Sequence, residues 1–238
     1  MLNARITNSY NGENQMNYDV IIIGAGPGGI FAAYELMQRK PELKVAIFEA
    51  GHMLSQRRCP IDGEKVKTCI GCKSCSIMSG FGGAGAFSDG KYNITNDFGG
   101  TLYEYIGKKH ALDLMHYVDE INMRYGGDGC KLYSTAGTRF KTLCIQNDLH
   151  LLDASVRHLG TDINYVVLEN LYNHLKDQVT FFFDTPVDTV RAIPGGYEVQ
   201  AKDITYSCQQ CIVSVGRIGS KWMEKVCKDL QIPTKSNR

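Results

Sequence analysis

The sequence predicts an α/β fold: a Rossmann-like domain built from a βαβ unit and a late β-hairpin or meander, interrupted by a helical insertion rich in glycine and cysteine. Three observations lead there. Asp19–Leu36 (D-V-I-I-I-G-A-G-P-G-G-I-F-A-A-Y-E-L) reads as a strand, a glycine turn and the start of a helix. Leu43–Phe48 (L-K-V-A-I-F) reads as a second strand that ends at Glu49. Val187–Ile193 and Tyr197–Ala201 read as a hairpin about Pro194-Gly195-Gly196.

The first stretch sets the chemistry. Val20–Ile23 are apolar without alternation, as a strand buried on both faces should be. Gly24, Gly26 and Gly29 complete G-x-G-x-x-G. The first glycine allows a sharp turn, the second a close approach to a pyrophosphate, and the third tight helix–strand packing. The N–H groups that open the helix, with its dipole, favour phosphate charge. Glu49 lies about 20 residues beyond Gly29, where the fingerprint places a carboxylate for ribose hydroxyls. It would repel a 2′-phosphate, so FAD or NAD is expected rather than NADP.

The totals exclude several classes. Hydrophobic residues make up 43% of 238, enough for an ordinary core. A net charge of +1 without long runs of one sign argues against a nucleic-acid binder. The longest apolar run, Val20–Ala33, is too short for a membrane span and is broken by glycines. With a polar N-terminus and no signal core, a soluble cytoplasmic protein is expected, with no membrane and no nucleic-acid partner.

Taken in order, residues 1–15 are polar and are expected to be a disordered extension, with Met16 a candidate start. Residues 16–54 and 179–232 are expected to form the dinucleotide-binding domain, and 55–178 the insertion. The helix of the fingerprint continues through Ile30–Arg39. Residues 51–101 lack periodicity, and so long an irregular stretch is usually functional. Within it, Gly80–Lys91 (G-F-G-G-A-G-A-F-S-D-G-K) can pass close to a flat ligand. Residues 102–125 read as one helix with Leu114, Tyr117, Val118, Ile121 and Tyr125 on its apolar face, stopped by Gly126-Gly127. Residues 128–160 give no clear pattern. Thr161 or Asp162 caps a helix that buries Ile163, Val166, Val167, Leu171 and Leu175. Val179–Phe183 and Cys211–Val215 read as strands, the latter closed by Gly216-Arg217, and a last helix carries Trp222, Val226 and Leu230.

The nine cysteines, in a chain without an export signal, point to thiols or metal ligands rather than a disulfide framework. Cys69, Cys72 and Cys75 form C-x2-C-x2-C, with Cys59-Pro60 upstream. Four such thiolates can hold an iron–sulfur cluster or a zinc ion. A ferredoxin run places its Cys-Pro downstream, so the match is partial, and reduced or redox-active thiols in a loop are the plainer reading. Cys208-x-x-Cys211 falls in a strand region, not before a helix, and reads as structural thiols. The histidines are scattered; His110 and His116 do not share a helix face. Lys91 lacks P-loop spacing, and Ser79, Ser88 and Ser214 lack a nucleophile elbow. No catalytic residue is named, because hydride transfer at a flavin needs no protein nucleophile.

The order of these features resembles the glutathione-reductase-like flavoproteins with two dinucleotide-binding domains. Cys75–Lys91 (C-S-I-M-S-G-F-G-G-A-G-A-F-S-D-G-K), Arg157–Asp162 (R-H-L-G-T-D) and Ile212–Ser220 (I-V-S-V-G-R-I-G-S) resemble bacterial NAD(FAD)-utilising, FAD-dependent dehydrogenases. The resemblance implies that Gly24, Ala25, Gly26, Pro27, Gly28 and Gly29 cradle the FAD pyrophosphate and Glu49 holds the adenosine ribose. It implies that Arg57 or Arg58 approaches the phosphates or ribose, with Arg58 the chosen candidate. It places the backbone of Val187 against the adenine and Val215 and Gly216 over the adenine side. Gly83 and Ala84, within Gly82–Ser88, fall near the flavin end, and Arg157, His158 and Asp162 near the ribityl chain or substrate.

Members of that family are about twice as long, by ordinary domain sizes, and continue into a substrate domain. The chain is therefore expected to be the N-terminal, FAD-binding half of an FAD-dependent oxidoreductase, the other half lying in a missing C-terminal segment or a partner subunit. Its electrons would pass from a donor such as NAD(P)H to an unknown small-molecule substrate or acceptor. Two alternatives stand beside it: a non-catalytic, thiolate-rich metal, iron–sulfur or redox-sensing module with Cys59, Cys69, Cys72 and Cys75 as ligands, and a simple NAD-binding domain.

Overall fold

The computed structural model describes residues 16–235; the expected disordered extension, 1–15, lies outside the described residues. The chain runs β1 (Met16–Ile23), α1 (Pro27–Arg39), β2 (Val45–Phe48), β3 (Lys91–Ile94), α2 (Leu102–Ile106), α3 (Lys108–Asn122), β4 (Leu132–Ser134), α4 (Arg139–Gln146), β5 (Ser155–His158), α5 (Gly160–Leu175), β6 (Thr180–Phe182), β7 (Thr189–Ile193), β8 (Gly196–Ala201), β9 (Ile204–Val213) and α6 (Ser220–Asp229).

A six-stranded sheet in the order β6-β2-β1-β9-β8-β7 forms the centre. Its first four strands are parallel, with Ile23 opposite both Phe48 and Val213 and Phe48 opposite Phe182. β7, β8 and β9 close it as an antiparallel meander. The alternation of a strand explains the layers. Val20 and Ile22 face a cluster with Ile30, Ala33, Tyr34 and Met37 of α1 and Val167, Leu171 and Leu175 of α5. Ile21 and Ile23 face the other cluster, with Val190, Val199, Ala201, Tyr206 and Val226. Ile21 and Ile22 are fully buried, each stabilising the fold by roughly 1.5–3 kcal/mol relative to exposure. This accounts for the unalternating apolar run: both faces of β1 are covered.

Between β2 and β6 the chain builds a second, antiparallel sheet, β3-β5-β4, with Tyr92 opposite Arg157 and Tyr133 opposite Val156. Several expectations need correction here. The single helix over 102–125 is broken at Gly107 (φ +82°) and ends in a wide turn at Met123–Gly127, where Gly126 has φ +127°. Its expected apolar face is met in part: Ile121 is buried and Tyr125 packs on the core, but Leu114 and Tyr117 are 45% and 37% exposed, and Ala111, Asp119 and Asn122 are buried as well. Asp119 goes inside because Arg157 of β5 meets it with two hydrogen bonds, of 3.0 and 2.7 Å. On α5, Val166 is exposed and Asn164 is buried instead. α5 packs on the central sheet's core although its sequence lies between the small sheet and β6. The unassigned stretch 128–160 holds β4, α4 and β5. α4 buries none of its residues. β9 starts at Ile204, before the expected Cys211, because it serves two neighbours: β8 along Ile204–Cys208 and β1 along Tyr206–Val213. Among the described residues no helix is long and apolar enough to cross a membrane.

Candidate functional site

A cleft of about 1150 Å³ opens at the C-terminal ends of β1, β2 and β9, where ligands of open α/β sheets bind. Gly24, Gly26, Pro27 and Gly28 form one wall. Gly24 turns with φ +103°, and a Cβ there would meet the Ser214 carbonyl oxygen at 2.3 Å. Pro27 sits in the first turn of α1, where its missing N–H is not needed. Ala25 is fully buried, and a Cβ on Gly29 would meet the Gly24 carbonyl oxygen at 1.9 Å. These two residues shape the turn from behind; neither lines the cleft.

The opposite wall is Gly80–Gly85. Gly82 N–H donates to the Ala25 carbonyl (2.8 Å), and Gly26 and Gly83 meet through their α-carbons, with a Cβ on Gly83 falling 3.1 Å from Gly26 Cα. The expected candidates Gly83 and Ala84 line the cleft, as do Val187, Gly216, Val215 and Arg58.

Glu49 also lines the cleft but is 7% exposed, and its carboxylate is already engaged. Oε2 accepts the Ala25 N–H at 2.7 Å, and Oε1 accepts the N–H groups of Gly51 and Gly80, both at 2.9 Å. The side chain ties the glycine turn, the end of β2 and the facing wall together.

The structure separates the two arginines. Arg58 is solvent-exposed at the cleft. Arg57 is buried and donates to four backbone carbonyls: Ser76 (2.9 Å), Ile77 (2.9 Å), Phe81 (2.7 Å) and Gly83 (2.7 Å). Its guanidinium also lies 4.8 Å from the Phe87 ring centroid. Burial lowers its pKa to about 10, opposed by the charges of Glu49 and Cys75, so it stays a cation at neutral pH.

Other expected residues lie elsewhere. Arg157 is committed to Asp119 and to the Cys130 carbonyl, and its charge is stabilised by the Asp119 hydrogen bonds. Arg157, His158 and Asp162 do not line the cleft. The four-thiolate metal expectation is not met by the geometry. Among the described residues no group of three or more His, Cys, Asp or Glu side chains is arranged to hold a metal ion. Cys69 and Cys72 are exposed, Cys59 and Cys75 half-buried, and only Cys72 of the four reaches the cleft. Cys208 and Cys211 are thiols within a strand: hydrogen bonding from Cys211 lowers the pKa of Cys208 and raises that of Cys211.

Several cleft residues gave no signal in the sequence. His52 Nδ1 and Asp184 Oδ1 pair at 2.5 Å, with Asp184 at φ +52°. Lys202 comes from the β8–β9 turn, and Lys73 from the cysteine-rich loop. The sequence marks Trp222 only as a helix-face residue. It borders the cleft, with Nε1 donating to the Asp188 carbonyl at 3.3 Å.

Comparisons with known proteins agree with this geometry in different ranges. The Thi4 family model matches residues 5–55. Thiamine thiazole synthases of Yarrowia lipolytica and Phaeosphaeria nodorum are 61% and 58% identical over 33 residues, each match covering 14% of this chain and 10% of the synthase. Glycine oxidase from Geobacillus kaustophilus superposes with a TM-score of 0.52 at 16% identity, covering 91% of this chain and 59% of that one. This chain thus spans a minor part of the synthases and about three-fifths of the oxidase. The fold is the Rossmann-like α/β fold that the fingerprint predicts.

Proposed function

We propose that the chain is the FAD-binding part of a flavin-dependent oxidoreductase. The observation that carries this is the pair of facing glycine walls, Gly24–Gly28 and Gly80–Gly85, across a 1150 Å³ cleft at the C-terminal edge of the parallel sheet. The residues fit the cofactor. Gly26 has only Gly83 Cα near its missing Cβ, at 3.9 Å, so the space before it is open to a pyrophosphate. Gly24, Gly26, Pro27 and Gly28 would hold that pyrophosphate, and Ala25 and Gly29 would keep the turn in shape. Arg58 would add positive charge, and Val187 and Gly216 would border the adenosine. Glu49 has one lone-pair position left on Oε2, enough for one ribose hydroxyl. FAD, when bound, supplies two-electron hydride chemistry. The protein's own part is to bind, orient and shield it. The reading extends to a dehydrogenase with an NAD(P)H donor, working in the cytoplasm with the remainder of the fold.

The likeness to thiamine thiazole synthases covers 33 residues, too few to bring a synthase's chemistry with them. The test is direct. Trp222 is the only tryptophan and borders the cleft, so FAD should quench its emission and gain a visible circular dichroism signal. Absence of both at saturating FAD, on purified protein that melts cooperatively, would refute the proposal.

A further inference from the structure

We propose that Asn164, held by Tyr92, is a positioning residue that keeps the Gly85 carbonyl turned away from the cleft, so that the Gly83–Gly85 wall can face the phosphates of a dinucleotide. The inference rests on the dinucleotide-binding reading above. Asn164 is 1% exposed on α5, a polar residue on a face otherwise made of Val167, Leu168, Leu171 and Leu175. Its amide spans two elements. Nδ2 donates to the Gly85 carbonyl at 2.9 Å, and Oδ1 accepts the Tyr92 hydroxyl of β3 at 2.8 Å. Burial raises the Tyr92 pKa, so the hydroxyl remains a donor. The amide is therefore fixed in one orientation by its acceptor as well as its donor.

The rest of the wall is tied from behind in the same manner. Arg57 takes the Phe81 and Gly83 carbonyls, and Gly80 O accepts Gly83 N–H. Gly85 O also accepts the Ser88 N–H (3.1 Å) and hydroxyl (2.8 Å). Ser88 belongs to the same segment and moves with it, whereas Asn164 is the link to a separate, packed helix. The start of α5 is stitched to this segment as well, through Leu159 N–H to Gly90 O (2.9 Å) and Gly160 N–H to Asp89 O (3.0 Å). Without the Asn164 amide, the Gly85 carbonyl keeps only the two Ser88 bonds, which lie within its own turn, so the Gly83–Ser88 turn loses its tie to α5 and can shift as a unit that brings the carbonyl oxygen toward the cleft. A partial negative charge there opposes bound phosphate and leaves an adenine or ribose contact untouched.

The experiment titrates wild type, Asn164→Leu and Tyr92→Phe with FAD and with adenosine, which has no phosphate, reading Trp222 quenching. Asn164→Leu should weaken FAD about tenfold, as loss of one buried hydrogen bond does, and Tyr92→Phe about threefold, with adenosine unchanged in both. Tyr92→Phe carries the test alone if the leucine variant does not fold. If FAD and adenosine weaken together, or neither changes, the positioning role is wrong while FAD binding stands. If wild type binds neither ligand, the proposed function fails and this inference goes with it.

Discussion

Three glycines of the turn, Gly26, Gly28 and Gly29, make separable demands, and alanine at each should show them. At Gly29 the added Cβ falls 1.9 Å from the Gly24 carbonyl oxygen and 3.3 Å from Ile22 Cγ2. An ordinary carbon–oxygen contact is ~3.3 Å, so helix and turn must part by roughly 1.4 Å. Such overpacking typically costs ~1–3 kcal/mol, and a backbone obstacle places this one toward the upper end. Alanine's better helix propensity returns at most ~1 kcal/mol. A net loss of about 2 kcal/mol should lower Tm by roughly 4–8 °C for a domain of this size. Gly26 differs. It has φ −75°, an ordinary angle for alanine, and its nearest neighbour is at 3.9 Å. The weaker N-cap and the stiffer unfolded chain offset each other, so stability should change by less than ~0.5 kcal/mol, which is roughly 1–2 °C in Tm. The Cβ would nevertheless stand in the cleft, and FAD affinity should fall sharply. Gly28 is intermediate: its Cβ would meet only the Ser214 hydroxyl, at 2.4 Å, which can rotate away. Thermal melts and Trp222 titrations on the three variants give the answer. Equal Tm losses for Gly26→Ala and Gly29→Ala, or unchanged FAD binding by Gly26→Ala, would refute the division of roles.

Glu49→Gln places an amide NH₂ among three backbone N–H donors, so at least one contact becomes donor against donor; a loss of ~1–3 kcal/mol is expected in denaturant melts, together with weaker FAD binding. Arg57→Met should release four carbonyls and raise amide exchange across residues 76–87 well before the central strands respond, while Arg58→Met should leave exchange unchanged and weaken FAD. Asp119→Asn should destabilise by ~1–3 kcal/mol, because the half-buried Arg157 then loses its charge partner, and the pair replaced together by Leu and Met should recover part of that in a double-mutant cycle. The Tyr117 hydroxyl holds the Glu35 carboxyl below its usual range, so this α1–α3 link contributes above the ordinary Glu pKa and is lost as pH falls through the lowered one; Tyr117→Phe should flatten that acid limb slightly, the pair being largely solvated, in a Tm-against-pH series.

What was legible in the sequence follows from how local the causes were. The turn between β1 and α1 announces itself because its glycines lie together in the sequence and the tightest demand, Gly29 against the Gly24 carbonyl, is made within the turn itself, although Gly24 and Gly26 also face Ser214 and Gly83 far along the chain. The hairpin of β7 and β8 is equally local. The polarity of α3 and α5 was misread because periodicity assigns apolar residues to the inside, and here Asp119 and Asn164 were carried in by partners far along the chain, Arg157 and Tyr92. No spacing rule links positions 38 or 72 residues apart. The same limit applies to the arginines. Arg57 and Arg58 are indistinguishable as letters; one residue's shift in a loop sends the first under the glycine wall and the second into the cleft.

Glu49 shows how the site joins what the sequence keeps apart. The fingerprint treats this carboxylate as a ribose acceptor, yet three amide donors from separate segments converge on it. Each comes from or beside a glycine: Ala25 within the turn, Gly51 after β2, and Gly80 on the facing wall. A Cβ on Gly51 would meet Gly80 N at 2.5 Å, and one on Gly80 would meet the Arg57 side chain at 2.7 Å, so the segments can converge only without side chains there. The glycine-rich stretch at 80–85 and the fingerprint at 24–29 are therefore two halves of one construction, with the Glu49 carboxylate and the Arg57 guanidinium holding its amides and its carbonyls respectively. A substitution at Glu49 should loosen both walls at once and one at Arg57 the 80–85 wall, which links the order of the cleft to its affinity for a dinucleotide.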